Sequence, residues 1–166
     1  EPLSRLREDI LARAAKLQGT QRVIVLACRH GAAVHESSSV AVIEVPCVGM
    51  LPPPFLDFVL ARRLADGVML AGCRERECHH RLGNDWTEQR IAATRDPQLR
   101  ARVPRDRVGL SWAAATQGAL RSSDLALFQR GLAGAAAALR SGLSAWRRPQ
   151  LRGGAAGRTL GQAVAQ

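Results

Sequence analysis

The sequence predicts a three-layer α/β domain: a four-stranded, mostly parallel sheet between helices, with an added N-terminal helix. Three observations carry this. Four short apolar runs, 22–28 (RVIVLAC), Val40–Val45 (VAVIEV), Gly67–Gly72 (GVMLAG) and the weaker Val108–Trp112 (VGLSW), read as strands, the first three as runs buried on both faces. Helix-compatible segments separate most of them, and strands alternating with helices form a βαβ series, hence a parallel sheet covered on both sides. With 166 residues, 46% of them apolar, one domain can bury a core without disulfide or metal staples.

Taken in order, residues 1–19 form the added helix. Leu3, Leu6, Ile10, Leu11, Ala14 and Leu17 recur at helical spacing, and Gly19 marks a stop. The link from the first strand to the second, residues 29–39, is short and loop-like, with a turn at Ser37 to Ser39. A proline run suited to a first helical turn opens a helix over 54–64, with Phe55, Phe58 and Val59 in helical order. Residues 84–102 are polar and helix-permissive, with Pro97 expected to break or end the helix. A Ser-Ser-Asp cap at Ser122 opens an alanine-rich helix over 122–146, carrying Leu125, Phe128, Leu132, Leu139 and Leu143. The domain is expected over residues 1–148, followed by a flexible Gly/Ala/Arg tail over 149–166. With no initiator Met and no signal peptide, the first residues read as a cut edge or a processed terminus. No run of about 18 apolar residues is present, so no membrane span is expected.

Charge narrows the partner class. Basic residues number 24 against 14 acidic, and all but Lys16 of the basic ones are arginine. Nucleic acid is disfavoured despite a pI of 11.3, because the chain has no Tyr and three each of Trp and Phe for stacking bases. From Arg121 onward there are seven arginines and one acid, Asp124, which points to a C-terminal surface for an acidic docking partner.

The cysteines are the most informative residues. Cys28 ends the first strand, Cys47 lies two residues past the second, and Cys73 follows the third directly. The carboxyl ends of parallel strands share one edge, so these three thiols converge, and Cys78 can fold back on the same loop as a fourth ligand. Without an export signal, reduced thiols or metal ligands in a cytoplasmic setting fit better than disulfides. Four thiolates are the full ligand set of a [2Fe–2S] cluster and equally of a tetrahedral zinc. A chain large enough to fold unaided favours the cluster and a redox role over structural zinc. Arg29, His30, Arg74, His79 and His80 flank the thiols as candidates for supporting contacts, the histidines as hydrogen-bonding groups around the site. The bland alternative is that each cysteine is a small buried hydrophobe, and a third is a catalytic thiol beside a histidine. No Gly-x-Gly-x-x-Gly and no Walker loop are present, which leaves a nucleotide or flavin site without support.

The run from Ala65 to Cys73 (ADGVMLAGC), followed by Glu77-Cys78-His79-His80-Arg81-Leu82-Gly83-Asn84, resembles the delta subunit of methyl-viologen-reducing hydrogenase, the hydrogenase iron–sulfur subunit family. The resemblance extends from about Arg22 to Gly118 and takes in Pro46 to Gly49 and Arg107 to Trp112. It implies one [2Fe–2S] cluster, with Cys28, Cys47, Cys73 and Cys78 as ligand candidates. It also implies electron relay between a hydrogenase or formate dehydrogenase and a heterodisulfide-reductase-like flavoprotein. No bond-making catalysis is implied for this chain; a colourless zinc or bare-thiol interaction domain is the alternative. The family's first strand ends in Cys-x-x-Cys, where this chain has Cys28 and Gly31, and Thr116-Gln117-Gly118 stands where the family tends toward Ser, Glu and Gly.

Overall fold

The structure, a computed structural model, describes residues 3–140. The elements run α1 (Leu3–Ala14), β1 (Val23–Cys28), β2 (Val40–Val45), α2 (Pro54–Ala61), β3 (Gly67–Gly72), α3 (Gly83–Ile91), β4 (Val108–Trp112) and α4 (Gly118–Arg140). The four strands form one sheet in the order β2-β1-β3-β4, with every pairing parallel. The three-layer α/β fold read from the sequence is the fold observed.

β1 and β3 lie at the centre and are buried along their whole length, which is why they read as continuous apolar runs. Alternate residues of β1 supply opposite faces. Ile24 and Leu26 pack with Leu6 and Ile10 of α1 and Leu56 and Val59 of α2; Val23 and Val25 pack with Leu125 and Leu132 of α4. Burying each such aliphatic side chain stabilises the fold by about 1.5–3 kcal/mol. β4 closes one edge and is only partly buried.

Four helix limits differ from the sequence expectation. α1 ends at Ala14 instead of running to residue 19, because Lys16 and Leu17 donate their N–H groups to the Arg13 and Ala14 carbonyls in tightened three-residue turns. α2 stops at Ala61 because Arg63 turns to φ 55° and Leu64 donates its N–H to the Val59 carbonyl, a left-handed C-terminal closure made without glycine. α3 stops at Ile91 in the same way, with Ala93 at φ 61° and Thr94 bonded to the Gln89 carbonyl, well before Pro97. α4 starts four residues before the expected cap. There the Gln117 side chain accepts from Ala114 N–H, while the Asp124 carboxylate accepts from the Ser111 hydroxyl. The expected end of that helix at Trp146 and the 149–166 tail lie outside the described residues.

Candidate metal centre

Strand register sets the site. Cys28 pairs with Val45 of β2, two residues before Cys47, and Ala27 pairs with Ala71 of β3, two residues before Cys73. All three strands therefore deliver a thiol to the carboxyl edge at nearly the same level. Cys78 comes from the loop between β3 and α3, and all four thiols are buried and unpaired in disulfides.

The sulfurs meet. Cys28 Sγ lies 3.6 Å from Cys73 Sγ, and Cys28 also shares a hydrogen bond with Cys47. Gly83 holds the other two together. A Cβ there would come within 2.7 Å of Cys47 Sγ and 3.0 Å of Cys78 Sγ, so any side chain would push into the sulfurs. The Gly-Asn element noted in the sequence thus has a steric purpose. Asn84 is buried as well, and its side-chain amide donates to the Cys73 carbonyl at 2.8 Å, pinning the loop that follows β3.

Backbone donors face the sulfurs. Gly49 N–H reaches Cys47 Sγ at 3.4 Å, His30 N–H reaches Cys28, and His79 N–H reaches Cys73. The Cys28 hydrogen bond, helped by Gly49, holds the Cys47 thiol down to about 7. The same bond, together with burial, pushes the Cys28 thiol up, and burial raises Cys73. Without a cation Cys28 and Cys73 therefore keep their protons at neutral pH, and a cation among the sulfurs would favour the thiolates.

The supporting residues expected from sequence are placed differently. Arg29 and Arg74 are exposed and pair with Glu44 at 3.6 Å and Glu77 at 3.1 Å, so both guanidiniums turn to surface carboxylates. His30 and His79 act on the sulfurs through their backbone N–H groups, while at the surface their rings stack on each other with the His80 ring edge-on to both. Arg121, the first of the arginines expected in the docking patch, lies inside the fold instead, where its charge acts on Cys28 and Cys73. It is fully buried and donates to the carbonyls of Gly72 and, at 2.7 Å, Ser111. Burial lowers its pKa, and the charges of Asp124, Cys28 and Cys73 oppose that. The patch beyond residue 140 lies outside the described residues.

Gly31 explains the missing second cysteine of the first strand. A Cβ at this position would fall 2.7 Å from the Gly72 carbonyl oxygen and 3.2 Å from Arg121 Nη2. The room is filled by backbone and guanidinium.

A parallel sheet presenting buried thiols from consecutive strand ends defines a four-thiol α/β domain. A model of the methyl-viologen-reducing hydrogenase delta subunit family matches residues 32–133, more than half of the chain, and the chain belongs to that family. An F420-non-reducing hydrogenase iron-sulfur subunit from Archaeoglobus profundus is 31% identical over 80 residues, covering 48% of this chain and 58% of that protein. The vhc iron-sulfur subunit of F420-non-reducing hydrogenase from Methanococcus voltae is 30% identical over 80 residues, covering 48% of this chain and 55% of that protein. The chain therefore spans a little over half the length of these relatives. No helix among the described residues is long and apolar enough to cross a membrane.

Proposed function

We propose that this chain is an electron-relay domain in which Cys28, Cys47, Cys73 and Cys78 hold a [2Fe–2S] cluster. It would exchange electrons between a hydrogenase- or formate-dehydrogenase-like module and a heterodisulfide-reductase-like flavin and iron–sulfur partner. The observation that carries this reading is the convergence of four buried thiols at one sheet edge. Membership in a hydrogenase subunit family supports it, as do relatives named iron-sulfur subunits.

The donor set fits the group. When bound, a [2Fe–2S] cluster supplies a one-electron carrier. The chain's own residues provide the setting: N–H donors from His30, Gly49 and His79 offset negative charge on sulfur, and the buried Arg121 guanidinium adds a nearby cation. A single tetrahedral zinc would need its four sulfurs mutually about 3.8 Å apart, given Zn–S bonds near 2.3 Å. Cys28 and Cys73 form one close pair at 3.6 Å, and Cys47 and Cys78 both lie against Gly83, an arrangement of two pairs that suits a binuclear centre.

Purification under anaerobic conditions tests the proposal. The expected product is brown-red, with about two iron atoms and two labile sulfides per chain, and Cys73→Ser lowers the iron content. A colourless protein carrying zinc, or iron retained in full by Cys73→Ser, would overturn it.

A further inference from the structure

Above the thiols lies a second group of donors of different chemistry. His30 follows β1, whereas His79 and His80 follow Cys78 in the loop before α3, yet the three rings form one exposed cluster. The His30 and His79 rings stack with centroids 3.9 Å apart and planes 11° from parallel. The His80 ring stands edge-on to His79 at 5.0 Å and to His30 at 6.2 Å. One ring nitrogen from each lies within 4.8 Å of the other two, the tightest set of three metal-ligating side chains among the described residues.

We propose that His30, His79 and His80 form a separate site for one divalent transition-metal ion of the zinc class. Neutral imidazole is the preferred ligand of such borderline ions, and three protein nitrogens with a remaining position for water make an open tetrahedral site. The loops bring the three rings together before any ion arrives; because imidazole lone pairs lie in the ring plane, the stacked His30 and His79 rings must turn about their side-chain torsions to aim at a common ion. Of the arginines next to these histidines in sequence, Arg29 and Arg74 are each paired with a carboxylate, which offsets part of the local positive charge. Exposure leaves the nitrogens open to solvent ions, while the sulfurs beneath are buried. An ion here would tie the loop after β1 to the loop carrying Cys78, closing a clamp across the mouth of the thiol pocket. The site stands on the imidazoles alone and holds whether or not the thiols carry iron.

Cobalt(II), a spectroscopic stand-in for zinc, separates the two donor sets, since thiolate ligation adds a charge-transfer band that nitrogen ligation lacks. In a full chain with Cys28, Cys47, Cys73 and Cys78 all changed to Ser, we expect one cobalt equivalent with d–d absorption and no charge-transfer band. Adding His30→Gln and His80→Gln should weaken that binding at least about tenfold. Should the four-serine chain fail to fold by circular dichroism, zinc titration of the otherwise unaltered chain against His30→Gln/His80→Gln gives the answer with every thiol in place. Loss of one zinc equivalent in the histidine variant supports the site. An unchanged zinc count, or cobalt binding in the four-serine chain that ignores the histidine changes, overturns it. Iron analysis of the same preparations reports on the thiols separately, so failure of one site is distinguishable from failure of the other.

Discussion

The Arg121 guanidinium, fully buried, satisfies two carbonyls that end up beneath the thiol pocket, those of Gly72 and Ser111. Removing the donor while leaving the acceptors dry costs more than the bond itself contributes. Arg121→Leu is expected to lose about 1–3 kcal/mol of folding stability by urea titration, with Arg121→Lys recovering part of it. Gly31→Cys provides the complementary test, because the added side chain meets the Gly72 carbonyl and Arg121. It should destabilise by about 1–3 kcal/mol, as overpacking does, and add no iron to the purified protein. At this scale the sequence was a poor guide for a physical reason. An arginine in an arginine-rich stretch reads as solvated surface, and only the sheet edge under which it falls makes it part of the core.

Among the elements, α2 is held by more than its apolar face. Its Asp57 carboxylate is buried and accepts hydrogen bonds from Arg102 and, at 3.4 Å, Arg100, both on the chain after α3. The Arg102 hydrogen bond outweighs burial and holds the carboxyl below the usual range. A carboxylate whose folded value lies below its unfolded value, about 3.9, contributes stability that is fully present above the unfolded value and is lost as pH falls through the folded one. Asp57→Asn should therefore lower the urea midpoint at pH 7, and the gap to the parent chain should narrow at pH 3. Strand limits were legible from the apolar runs. β2, β3 and β4 match their expected spans, β3 fully buried and β2 and β4 at the sheet edges only partly so. The ends of α2 and α3 were hidden because Arg63 and Ala93 take left-handed turns that glycine usually announces. The start of α4 was hidden because Asp124, in a good capping context, is used across space by Ser111.

For the molecule as a whole, the core and the thiol pocket are one construction. Ile24 is fully buried at the centre of the sheet, two residues before Leu26 and four before Cys28. Ile24→Ala is expected to cost about 2–5 kcal/mol. Circular dichroism and the reactivity of the cysteines toward a thiol reagent should change together at one urea concentration, since three of the four thiols hang from strand ends. An early rise in thiol reactivity would show that the pocket opens independently of the sheet. The convergence itself was legible because parallel topology puts all carboxyl ends on one edge. The identity of the supporting groups was not, since backbone N–H donors and the two glycines of close approach carry no side-chain signal.

The order β2-β1-β3 has a last consequence. Neighbouring strands are spaced by main-chain hydrogen bonding at roughly 4.8 Å, so the three strand-borne sulfurs hang like teeth on a comb whose pitch no side chain can alter. A charge gained or lost at such a comb finds its surroundings already in position, and little of the protein must move in response.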